Sequence, residues 1–175
     1  LASVPLGPAL EGIGPQCGRM AGPGSITRFE VSPLGLACHS VAGPLAAGAD
    51  VQGISATGYL SLLALLLRLG CLDADGHFRT PASPLARRVA PPPQQARTGL
   101  RLPLPYGQWL AAADVEELLK VKAAFSQALE ALLRAAGLAA ADVACLGPAG
   151  ALGAAAAVPP GRPGAAGQAG LPPPG

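Results

Sequence analysis

The chain has 175 residues, a formal net charge of +2 and only 3% aromatic side chains. That length suits one domain of ordinary size, and so small a charge argues against nucleic acid as the partner. The apolar run Tyr59–Leu69 is too short for the roughly 20 residues that span a bilayer. No basic stretch leads into an apolar one as in a signal peptide. The expected setting is cytoplasmic, with no membrane contact.

The 24 Gly and 20 Pro are unevenly spread and gather after Gly147, so the core must be built from Leu, Val and Ala. A start at Leu1 rather than Met is expected of a fragment or a processed product. Cys17, Cys38, Cys71 and Cys145 form no C-x-x-C pair, which weighs against zinc or iron–sulfur ligation within this stretch. Free, buried thiols in a reducing compartment are the expectation, and no metal site.

In chain order, Leu1–Gly24 is rich in Gly and Pro and reads as loop. Glu11 lies in it between glycines, either as a solvated turn residue or as an acid orienting a metal-bound nucleotide. Ile26–Val31 and Leu36–Val41 read as two strands of a hairpin, with Ser32-Pro33-Leu34-Gly35 as the turn. A small-residue loop leads to Gly53–Gly70, GISATGYLSLLALLLRLG. Its apolar run, broken only by Ser61 and Arg68, predicts a central helix buried on all sides. Ser55 or Thr57 can cap its start and Gly70 its end. The glycines at its head admit two uses: a tight turn, or a close approach to an anion at the helix N-terminus.

Cys71–Gly76 reads as a turn, since Asp73 and Asp75 lack the remaining ligands of a calcium loop. Residues 81–110 form a Pro- and Arg-rich excursion, with Pro81–Gln95 expected to be exposed and without regular structure. Asp114–Ala136 predicts a long helix: Val115, Leu118, Leu119, Phe125, Leu129, Leu132 and Leu133 recur at helical spacing, and Gly137 stops it. Lys122 falls on that apolar stripe, either snorkelling to water or aimed into a ligand cleft. Val143–Leu146 reads as a short buried strand. Residues 154–175, almost wholly Ala, Gly and Pro, are expected to be a disordered tail behind a domain at 1–153.

The collinear set GPALEG, CGRMAGPGSI (Cys17–Ile26), GISATGYLSLLALLLRLGCLDADGHF (Gly53–Phe78), DVEELLKVKAAFSQALEALLRAAGL (Asp114–Leu138) and LGPAG resembles the C-terminal domain of the ATP-dependent reductive activators of corrinoid proteins. These belong to the superfamily of acetate and sugar kinases, Hsp70 and actin. The resemblance implies an α/β fold: the C-terminal lobe of an actin-like, ribonuclease H-like ATPase domain, with few strands and two main packed helices. It implies ATP with Mg2+ as cofactor in the full-length protein and a [2Fe–2S] cluster in a domain upstream of Leu1. The implied activity is ATP-driven reduction of Co(II) to Co(I). The implied partner is a corrinoid protein or corrinoid-dependent methyltransferase, with a homodimer as a further expectation. The resemblance carries nucleotide contact to Gly7, Glu11, Gly12, Gly53, Ser55, Thr57, Gly58, Lys122, Gly147 and Gly150, and no catalytic residue to any position. The family's Cys and middle Gly in the first glycine turn are Ser55 and Ala56 here. Its last glycine turn gains Pro148 and loses a Phe. The alternative is a non-catalytic lobe serving docking or dimerisation.

Overall fold

A computed structural model of the protein describes residues 14–97 and 99–143. The strands are β1 (Ser25–Ile26), β2 (Arg28–Ser32), β3 (Gly35–Ser40), β4 (Gly43–Pro44), β5 (Gly53–Ile54), β6 (Gln94–Ala96), β7 (Gly99–Pro103) and β8 (Trp109–Ala111). The α-helices are α1 (Ala56–Arg68), α2 (Pro84–Val89) and α3 (Ala112–Ala135). This is a mixed α/β fold with few strands and two long helices, as the sequence implies.

The hairpin forms where the alternating residues place it. β2 pairs antiparallel with β3 from Arg28–His39 to Ser32–Gly35, and β4 adds to the far side of β3. Gly35 sits at φ +125°, a region open to glycine and closed to most side chains. β1 instead runs parallel to β5, Ser25 opposite Gly53 and Ile26 opposite Ile54. Gly18 bridges Ile54 on the other side, so the Gly14–Met20 segment, β5 and β1 lie side by side.

α1 is capped by Ser55, whose side chain accepts from the Gly58 N–H. Gly70 follows its end at φ +66°, the left-handed turn that closes a helix. The expected burial on all sides is corrected. Tyr59, Leu62, Leu65 and Leu66 are buried, while Leu60, Ala64 and Leu67 face out. Among the described residues only one side of α1 meets protein, chiefly β2, so its apolar run exceeds what they cover.

The Pro81–Gln95 expectation is also corrected. Ser83 caps α2 by accepting from Ala86 N–H, with Pro84 in the first turn, where a missing N–H is harmless. Ala86 and Val89 bury themselves. Gln94 then opens an antiparallel sheet in the order β6-β7-β8. Prolines mask the short elements between them, which is why the segment reads as irregular. Tyr106, at φ 60°, turns β7 into β8. Its hydroxyl donates towards the carbonyls of Leu45 and Ala46, each at 3.1 Å, and holds this strained residue in place.

α3 packs on β7 and β8 through its first turns only. Asp114, Val115 and Leu118 are buried, whereas Phe125 is 44% and Leu132 38% exposed. The predicted stripe is real as a sequence pattern, but among the described residues it is covered chiefly at its first turns. Val143 is exposed and lies outside any strand. The rest of the expected Val143–Leu146 strand and the tail lie outside the described residues. Among the described residues no helix is long and apolar enough to cross a membrane.

Candidate functional site

The head of α1 is built from three adjacent chain segments. Ile54 N–H donates to Cys17 O at 2.7 Å, Arg19 N–H to Ile54 O at 2.9 Å, and Ser55 N–H to Ile26 O at 2.9 Å. The turn Gly53–Gly58 is therefore clamped from both sides. Its glycines are needed for that clamp. A Cβ on Gly53 would lie 2.8 Å from Cys17 O and 2.9 Å from Arg19 Cβ. A Cβ on Gly58 would strike Ile26 O and come within 2.8 Å of Ile54 Cγ2. Ser55 is buried and its hydroxyl is occupied, accepting from Gly58 N–H at 3.2 Å and sharing a hydrogen bond with Thr57 Oγ1 at 2.9 Å.

Beneath the turn lies a polar cluster that the residue pattern does not announce. Asp114 is buried and accepts from Gln16 N–H and Ala111 N–H, each at 3.0 Å. It thereby ties the entering chain to the start of α3. An acid in a first helical turn signals a cap; nothing in the sequence signals that it also holds a segment 98 residues away. The Gln16 side-chain carbonyl accepts from Arg101 Nη2 at 2.8 Å and Trp109 Nε1 at 3.3 Å. Arg101 itself stacks 4.6 Å above the Trp109 ring. The Tyr59 hydroxyl is fully buried, within reach of the Cys17 backbone but without a well-formed hydrogen bond among the described residues. Burial first, and the nearby Cys17 and Asp114 second, raise its pKa well above the ordinary tyrosine range. Burial also raises Cys17 and Cys71, and pushes the Cys38 thiol up to about 12. These three cysteines are buried, unbridged thiols, protonated at neutral pH and so poor nucleophiles.

Asp73, Asp75 and His77 come close enough together for a metal ion. The Asp73 carboxylate is already engaged, however. One oxygen accepts from Asp75 and His77 N–H at 3.0 and 2.8 Å, and the other meets Arg79 at 2.6 Å. These donors hold its pKa below the usual carboxylate range, and the group serves as the keystone of a turn.

Of the residues that the sequence assigns to nucleotide contact, Gly53, Ser55, Thr57 and Gly58 are brought together at the head of α1. Lys122 sits on the exposed part of α3 and extends into solvent. Gly7, Glu11, Gly12, Gly147 and Gly150 lie outside the described residues. Gly53 and Gly58 face the protein's own backbone, the Ser55 hydroxyl caps α1, and the Thr57 hydroxyl bonds to that of Ser55.

Residues 1–159 match the family described as the C-terminal domain of RACo, the ASKHA domain, and the chain belongs to that family. Among solved structures, a reductive activator for a corrinoid, iron–sulfur protein superposes with a TM-score of 0.60 at 26% identity. The match covers 76% of this chain and 21% of that one, so the chain spans about a fifth of the length of its relative. No curated protein matches the sequence.

Proposed function

We propose that this chain is the C-terminal lobe of a reductive activator that returns the cobalt of a corrinoid protein from Co(II) to Co(I). The observation that carries the reading is the family match over residues 1–159, together with a fold that superposes on such an activator. In the whole protein, an upstream [2Fe–2S] domain supplies the electron. ATP with Mg2+ supplies the drive, and the corrinoid protein is the partner.

Within that assembly the described residues favour a supporting and docking role for the lobe. The Gly53–Gly58 turn is filled by Cys17 and Ile26 backbone. That close backbone contact supports reading the turn as a structural clamp. The test is to express the full-length gene product and follow Co(I) formation optically, with a corrinoid protein, a one-electron reductant and Mg·ATP. ATP-dependent appearance of Co(I) is the expected result. Its absence, with a folded and cluster-loaded protein, removes the reading.

A further inference from the structure

Tyr106, in the turn between β7 and β8, stands at φ 60°, ψ 30°. Among the described residues it is the one non-glycine with a positive φ. A bulky side chain is disfavoured in that left-handed region and persists only where its surroundings hold it. The holders come from the loop between β4 and β5. The Tyr106 hydroxyl faces Leu45 O and Ala46 O, each at 3.1 Å, with one proton to share between them. Two residues on, the Gln108 side-chain amide donates to Val51 O at 3.3 Å. Two side chains of one turn thus grip the loop 45–51 near both its ends. Its middle lies open to solvent: Ala46, Ala47, Gly48 and Asp50 are exposed.

Beneath the first end of this loop lies a buried thiol. The β3–β4 register, Ser40 opposite Gly43 and His39 opposite Pro44, continues to Leu45, whose N–H donates to Cys38 O at 2.9 Å. Directly opposed residues of an antiparallel pair share a face, so the Leu45 side chain lies beside that of Cys38. Tyr106 approaches the same thiol: burial first, and the neighbouring Cys38 second, raise its hydroxyl. Leu45, Val51 and Tyr106 all pack against the core that contains Cys38, itself 4% exposed. Strain and contact oppose each other here. With the loop in place, its carbonyls keep Tyr106 left-handed. With the loop lifted, Tyr106 is free to relax and Leu45 leaves the thiol. An exposed loop held by a few hydrogen bonds belongs to the low-stability end of a fold, where local opening occurs.

We propose that residues 45–51 form a strap latched by Tyr106, which opens as a local unit and uncovers Cys38 while the Gly53–Gly58 turn stays clamped. The device concerns neither nucleotide nor corrinoid, so it stands or falls separately from the proposed function.

The test is pulse labelling of the folded full chain with N-ethylmaleimide, each cysteine being followed by peptide mass spectrometry. The reagent needs an accessible thiolate, so the Cys38 rate reports opening of the strap. Tyr106→Phe keeps the ring and removes the latch bond. It should raise the Cys38 rate about tenfold. Cys71, whose thiol sits against Ala86 of α2, should keep its rate. The Ala49 amide, bonded to Ala46 O within the strap, should exchange faster, and the Ile54 amide, bonded to Cys17 O, should not. Gln108→Ala frees the Val51 end and should raise the Cys38 rate about threefold. Should Tyr106→Phe unfold, Gln108→Ala decides alone. Unchanged Cys38 labelling in the folded variants overturns the proposal. So does an equal rise at Cys38 and Cys71, which would make Tyr106 an ordinary stabilising contact of the whole fold.

Discussion

α1 and α3 are the two long helices, and they solve opposite problems. α1 is short of polar residues, yet its buried side packs on β2 and its head on Ile26 of β1 and Ile54 of β5. α3 carries a regular apolar stripe, yet among the described residues it is chiefly its first turns that are covered. The helix with the poorer pattern is the better anchored one. Periodicity identifies which side of a helix seeks cover; it does not say whether the cover belongs to the same compact unit. Burial follows from which segments arrive, and at the head of α1 they arrive because glycines let them come close.

The sharpest way to break this comparison is to truncate one leucine in each helix. Leu62→Ala empties a fully buried site in α1 and should cost about 3 kcal/mol. Leu132→Ala, on the exposed part of α3, should stay within about 0.5 kcal/mol. Urea unfolding of the two variants decides it; equal losses would mean that α3 is covered after all.

The glycines give a second contrast, comparable in size. Gly58→Ala drives a methyl group into Ile26 O, where backbone cannot yield cheaply, and should cost about 3 kcal/mol. Gly137, after α3, has open space around its Cβ position and φ +69°. Gly137→Ala meets only the left-handed backbone penalty of roughly 1 kcal/mol. The same unfolding curves rank them, and a milder effect at Gly58 than at Gly137 would show that the clamp is loose. Asp114→Ala comes next. It strands two N–H groups, those of Gln16 and Ala111, and should lose about 2 kcal/mol; amide exchange at those two positions should quicken with it.

Much of this was legible in the sequence, and the omissions have physical causes. The hairpin, both long helices, a cap at Ser55 or Thr57 and the Gly70 stop follow from local rules: two short strand-like runs around a turn signal, helical spacing, a side-chain oxygen before a helix and glycine after it; the structure selects Ser55. The one-sided burial of α1 did not follow, because an all-apolar run carries no mark of which side is covered. The β6-β7-β8 sheet was hidden by prolines that sit between strands rather than inside them, Pro103 excepted at the end of β7. At the candidate site, the glycines of GISATG were visible, but not what they approach. A glycine that admits a phosphate and one that admits a neighbouring carbonyl look alike until the neighbour is placed. The link from Asp114 to Gln16 is similarly invisible, since the two are joined only by the fold.

Titration offers a finer test of the same division between closed and open regions. The Cys38 thiol moves from 9.0 to about 12 on burial, and Cys17 and Tyr59 are raised too. The unfolded chain releases these protons first as the pH climbs, so the folded state binds more protons there. Stability should therefore be full below about pH 9 and decline towards pH 12, which urea midpoints at roughly pH 8, 9.5 and 11 would trace. Asp73 acts in the opposite sense. Its depressed pKa stabilises above the normal carboxylate range, and this is lost as the pH falls through it. On a surface turn that contribution should be the smallest of all, and Asp73→Asn should barely move the melt at neutral pH.

We propose above all that the Gly53–Gly58 turn is a structural clamp and not a phosphate cradle. Titration of Mg·ATP into the isotope-labelled full chain, followed by amide chemical shifts, tests that claim directly. The amide signals of Gly53, Ser55, Thr57 and Gly58 are predicted to stay where they are through saturating nucleotide. Saturable shifts at those four positions, lost in a variant of Thr57 that keeps the fold, would contradict it.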